Sequence, residues 1–206
     1  MRTKVKICGM RDPDNILEVG ELKPDFMGFI FYATSPRCVP EDFSVPTDLP
    51  ASIKKVGVFV NERLARILDI VKKNALDFVQ LHGSETAQQC KILKESGVSV
   101  IKAFSLDDHF DFALTNPYKH FVDYFLFDTK GKFYGGNAST FDWNMLQKYD
   151  QEIPFFLSGG ISISTISDLS QLRDMNLYAI DVNSGVEVSP GLKDINKIKE
   201  LLNKLK

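Results

Sequence analysis

The chain alternates short apolar runs with amphipathic stretches, and no polar linker interrupts the alternation. The apolar runs are Val5–Cys8, Phe26–Phe31, Lys55–Val60, Phe78–Leu81, Val98–Phe104, Tyr124–Asp128, Phe155–Ser158 and Ala179–Val182. Most are nearly continuous in Val, Ile and Phe, the pattern of strands covered on both faces rather than one. Helical spacing lies between them. It is clearest from Asn61 to Lys73, where Leu64, Ile67, Leu68 and Val71 recur at intervals of three and four, and Glu85–Ser96 and Lys193–Leu205 read similarly. Asn61 and Ser84 are read as helix N-caps after the third and fourth strands, and Gly97 as a helix stop.

Eight strands, each followed by a segment long enough for a helix, fit a single (β/α)8 TIM barrel occupying 1–206 as one domain. A doubly wound sheet shares the same periodicity and is the rival. Two units are irregular. Pro40, Pro46 and Pro50 limit any helix after the second strand to a turn or two. After Asp128, the stretch from Thr129 to Phe141 is long and Gly-rich, as binding loops and lids often are.

Composition narrows the functional classes. A formal net charge of -2 and a pI near 5.9 provide no basic field, so a nucleic-acid partner is not expected. No run approaches the ~18 apolar residues of a membrane span. After Met1-Arg2-Thr3-Lys4 the apolar stretch is too short for a signal-peptide core. Cys8, Cys38 and Cys90 have neither metal-site nor disulfide spacing, which suits free thiols in a reducing cytoplasm.

Two strands end on groups that move protons: Val5-Lys6-Ile7 delivers Cys8, followed by Gly9, and Tyr124-Phe125-Leu126-Phe127 delivers Asp128. In one parallel sheet both project at the same edge, where α/β proteins build their sites. A thiol in an apolar strand is commonly inert core; its position before Gly9 makes it a candidate nucleophile or base. Lys6 shares its face. Asp128 is either a proton-transfer group or a residue bonded to its own loop. Ser158-Gly159-Gly160-Ile161-Ser162 and Asn183-Ser184-Gly185-Val186-Glu187 follow the last two strands, where barrels hold phosphate on glycine-loop N–H groups and a helix N-terminus. Each alone reads equally as a tight turn; together they point to a phosphorylated small molecule. Arg37 carries a fork suited to a carboxylate or phosphate, although a lone loop arginine is usually solvated. His82 ends the fourth strand as either a site residue or a loop-packing imidazole. Asp181 is read as structural, orienting a loop, and Cys90 as packing.

In order along the whole chain, these segments resemble the phosphoribosylanthranilate isomerase family of tryptophan biosynthesis. Lys6-Ile7-Cys8-Gly9-Met10-Arg11 is similar to its opening motif, and Gly28-Phe29-Ile30-Phe31 with Ser35-Pro36-Arg37 to its second unit. Val79-Gln80-Leu81-His82-Gly83, Phe127-Asp128-Thr129, Gly135-Gly136, Thr140-Phe141-Asp142-Trp143, Ser158-Gly159-Gly160-Ile161, Asp181-Val182-Asn183-Ser184-Gly185-Val186-Glu187 and Pro190-Gly191-Leu192-Lys193-Asp194 continue it. The resemblance implies a barrel without a cofactor or metal, as monomer or homodimer, that performs an Amadori rearrangement of N-(5'-phosphoribosyl)anthranilate. It implies Cys8 as general base, Asp128 as general acid, Arg37 on the anthranilate carboxylate, and the loops at Gly159-Gly160 and Ser184-Gly185 on the phosphate. His82 is placed with the substrate-binding residues. One departure is Asn137-Ala138-Ser139, where the family usually continues Thr-Gly, often followed by Lys. A different sugar-phosphate isomerase and a silent phosphate-binding barrel remain the rival readings.

Overall fold

In the computed structural model, which describes residues 3–129 and 143–205, eight parallel strands close into a barrel in sequence order. They are β1 (Lys4–Cys8), β2 (Phe26–Ile30), β3 (Lys54–Phe59), β4 (Phe78–Leu81), β5 (Ser99–Leu106), β6 (Tyr124–Thr129), β7 (Phe155–Ser158) and β8 (Leu177–Val182). β1 pairs with β8 as well as β2, so the sheet has no free edge, and the doubly wound alternative is excluded. The apolar strand pattern follows from having two covered faces. Phe26, Val56, Ile101, Ala103, Leu126, Phe156 and Ala179 form a separate cluster inside the barrel, while residues such as Val5, Phe29, Val79 and Phe127 belong to the larger core between the strands and the outer elements.

The outer layer is less regular than the periodicity predicts. α-Helices occupy α1 (Pro13–Glu21), α2 (Leu64–Asn74), α3 (Ala87–Glu95) and α4 (Ile195–Lys204). After β5, β6 and β7 the described segments are 3-10 helices at Phe112–Phe121, Trp143–Lys148 and Ile166–Leu172. Pro117 within the first of these opposes an α-helical ladder there. No helix forms between β2 and β3, as the prolines require.

Both expected N-caps are displaced. α2 starts after Arg63, which makes no side-chain cap, and Asn61 lies in the left-handed region with φ of 52°. Its Oδ1 instead accepts from Ser84 N at 2.8 Å and Ser84 Oγ at 2.9 Å, tying the β3 loop to the β4 loop. α3 is capped by Thr86 in a reciprocal box with Gln89. Gly97 does follow the end of α3, at φ 85°. The sixth-unit readings at Gly135-Gly136, Asn137-Ala138-Ser139 and Thr140-Phe141-Asp142 lie outside the described residues.

Candidate active site

The strand register determines which side chains meet at the barrel mouth. In a parallel ladder, partners in register face the same side. Asp128 pairs with Ser158, Ser158 with Asp181, and Asp181 with Lys6, two residues before Cys8 on the same face. Cys8 itself pairs with Gly28. Residues from β1, β4, β6, β7 and β8 therefore surround one cavity of about 220 Å³ at the C-terminal end of the barrel. Its lining includes Cys8, His82, Asp128, Gly159, Gly160, Ser184 and Gly185, so seven of the eight residues singled out from sequence converge there. The eighth, Arg37, is outside the lining and stands over Gly9, where its Cδ would be 2.9 Å from a Cβ.

Cys8 is buried beside a charge pair. Lys6 Nζ donates to Asp181 Oδ2 at 2.7 Å, with both side chains almost wholly buried. Gly28 makes this crowding possible, because a Cβ there would stand 2.7 Å from Cys8 Sγ and 3.1 Å from Lys6 Nζ. Burial, and then the Asp181 carboxylate, push the Cys8 thiol above its ordinary value; Lys6 and Lys193 pull it back. Asp181 thus does not orient a loop, as the sequence suggested. It is the barrel-interior counter-ion of Lys6 and lines the cavity. The missed signal was Lys6 itself, since an ammonium inside a closed barrel demands a carboxylate. Replacing Lys6 with Met removes that partner and leaves a buried carboxylate, so stability should fall by ~3–5 kcal/mol. Urea unfolding measures this, and an unchanged midpoint would show that Asp181 needs no partner there.

Asp128 faces an imidazole chain. Gln80 Nε2 and His82 Nδ1 are 2.9 Å apart, and His82 Nε2 and Asp128 Oδ2 are 3.3 Å apart. With the amide donating to Nδ1, the ring proton lies on Nε2 and points at the carboxyl group. His82 is therefore at the site rather than packing a loop. Behind it, Glu85 accepts from Gly83 N, and Lys102 donates to Gly83 O at 2.8 Å and to Glu85 at 3.3 Å. This buried pair holds the turn that carries the imidazole.

The two glycine segments form a continuous wall. Gly159 and Gly160 have φ of 92° and 67°. A Cβ on Gly159 would lie 2.0 Å from Thr129 O, and one on Gly185 would lie 2.3 Å from Ile161 O. The backbones therefore approach more closely than side chains permit, leaving N–H groups as the natural anion donors. The helices that directly follow β7 and β8 are short 3-10 pieces, seven and three residues long, so this end of the barrel offers an anion backbone N–H groups rather than an α-helix dipole.

Arg37 is engaged by Glu187, whose carboxylate the clasping cations hold at about 2. Burial works the other way on this group; the Arg37 and Lys193 hydrogen bonds outweigh it. The clasp's contribution is complete above the ordinary glutamate value and fades as pH falls from there toward 2.

The family model described as N-(5'phosphoribosyl)anthranilate (PRA) isomerase matches residues 5–204. The chain belongs to this family. It is 43% identical to the N-(5'-phosphoribosyl)anthranilate isomerase of Parabacteroides distasonis over 204 residues, covering 98% of this chain and 92% of the relative. The Phocaeicola vulgatus relative is also 43% identical, with 98% and 97% covered. Among solved structures, the Thermotoga maritima phosphoribosyl anthranilate isomerase superposes with a TM-score of 0.85 at 34% identity over 98% of both chains. A phosphoribosyl anthranilate isomerase in complex with reduced 1-(o-carboxyphenylamino)-1-deoxyribulose 5-phosphate gives 0.83 at 32%, again over 98% of both. Among the described residues of this family member, no helix is long and apolar enough to cross a membrane.

Proposed function

We propose that this chain converts N-(5'-phosphoribosyl)anthranilate to 1-(2-carboxyphenylamino)-1-deoxyribulose 5-phosphate, with Cys8 as general base and Asp128 as general acid. One observation carries the assignment of roles: Cys8, Asp128 and both glycine loops line the same cavity. Asp128, protonated, gives its proton to the ribose ring oxygen as the C1'–O bond breaks and the nitrogen lone pair forms an iminium. His82 Nε2 lies 3.3 Å from Asp128 Oδ2, and both side chains line the cavity. The Cys8 thiolate then removes the C2' proton, and the C–H electrons flow to the iminium nitrogen to give an enolamine. That enolamine loses its O2' proton and gains one at C1', giving the ketone. The iminium is itself the electron sink, and its positive charge beside Sγ favours the thiolate at the step that needs it.

The glycine loops hold the 5'-phosphate and Arg37 the ring carboxylate. Gly159→Ala forces a Cβ toward Thr129 O at a strained φ, so KM should rise roughly tenfold or more, with kcat changing less. An unaltered KM would remove this loop from phosphate binding. Arg37→Ala should likewise raise KM by roughly tenfold or more, because a charge-assisted bond made in the ground state is lost; a kcat-only effect would count against the carboxylate contact. The overall reading is tested by a fluorescence time course with freshly generated N-(5'-phosphoribosyl)anthranilate. Loss of the substrate signal at an enzyme-dependent rate supports it. Phosphate-ligand binding with no turnover would favour a silent binder.

A further inference from the structure

The carboxylate that engages Arg37 also fixes which edge of its guanidinium is left for a ligand. Glu187 Oε1 accepts from Arg37 Nε at 2.9 Å, and Oε2 accepts from Nη2 at 2.6 Å. Oε1 also accepts from Gly191 N at 3.0 Å and from Lys193 Nζ at 2.7 Å. Lys193 Nζ donates in turn to Asn183 Oδ1 at 2.8 Å, and Asn183 lines the cavity. Glu187 and Lys193 are 6% and 0% exposed, so the cluster is largely out of water. The Nε–Nη2 edge of Arg37 is thereby consumed. Among the described residues nothing is bonded to Nη1, which leaves the Nη1–Nη2 edge open. Two cations and one carboxylate leave the cluster at +1, the complement of a single carboxylate on the ligand.

We propose that Glu187, with Lys193 behind it, is a positioning residue that presents the open edge of Arg37 to the ring carboxylate and so sets the preference for a carboxylated aromatic amine. The inference rests on Arg37 binding that carboxylate. An unheld arginine samples many rotamers, and a planar fork recognises a carboxylate well only when its plane is fixed.

Geometry and charge make opposite predictions. Glu187→Gln raises the cluster to +2, so simple electrostatics would strengthen carboxylate binding, whereas loss of positioning weakens it. Glu187→Gln/Lys193→Met returns the cluster to +1 with the clasp removed, and also avoids leaving a buried ammonium unpaired should the single variant fail to fold. The experiment is calorimetric binding of reduced 1-(o-carboxyphenylamino)-1-deoxyribulose 5-phosphate, and of the same compound built from aniline, to wild type and both variants. Wild type should prefer the carboxylated ligand by roughly tenfold or more, and both variants should lose most of that preference while binding the aniline compound about as before. A preference retained or increased in the variants overturns the inference, as does equal weakening of both ligands, which would make Glu187 a loop tie only. No preference in wild type would instead sink the Arg37 reading on which it rests.

Discussion

Cys8→Ala should lower kcat by about 10²–10⁴-fold with KM nearly unchanged, because a positioned base acts in the transition state and contributes little to ground-state binding. The residue is buried at the end of β1, its sulfur packed over Gly28 beside the Lys6–Asp181 pair. The truncated side chain leaves space but no unpaired charge, so the variant should fold and bind the reduced product analogue. Steady-state kinetics with that binding control make the measurement; a near-wild-type kcat would remove Cys8 from the role. A pH dependence accompanies it. Burial and the Asp181 carboxylate raise the thiol's pKa, so the reactive thiolate fraction grows as pH rises above neutrality. Alkylation of Cys8 by iodoacetamide, followed against pH, should therefore accelerate on the alkaline side. A rate already at its plateau below neutral pH would contradict the raised value.

Asp128→Asn should cost a similar factor in kcat, about 10²–10⁴-fold, since the amide keeps the shape and loses the proton to be donated. The carboxyl group lies at the C-terminal end of β6, with His82 Nε2 at 3.3 Å and Ser158 as its register partner on β7. Asn keeps an acceptor for the imidazole, so binding should survive. The defect should be confined to ring opening. A substrate already opened to the Schiff base would then be processed faster by Asp128→Asn than the cyclic one, relative to wild type. Equal losses on both substrates would show that Asp128 serves a later step.

The fold was legible because each strand is covered on both faces, and that requirement writes itself into short continuous apolar runs. The boundaries moved by a residue or two, as at β3, which starts at Lys54, and β8, which starts at Leu177. The outer layer was less legible. Asn61 has a capping side chain but adopts φ 52° and bonds Ser84 across two loops, a choice made by the neighbouring loop rather than by the helix. The stretch Phe112–Phe121 has the length of an α-helix, but Pro117 and its packing make it a 3-10 segment.

The sequence by itself determined the eight barrel strands, their order along the chain and the chemistry at their C-terminal ends, because those depend on local pattern. Cys8, Asp128 and the glycine segments were placed at one edge by that logic alone. Only the tertiary structure decided which charges meet. Lys6 and Asp181 are 175 residues apart, and Arg37 and Glu187 are 150 apart. Closing the barrel brings β1 against β8 and lays the β2 loop over the β8 loop. Out of water, each of these cations requires a specific partner, and no local spacing rule names a partner that distant.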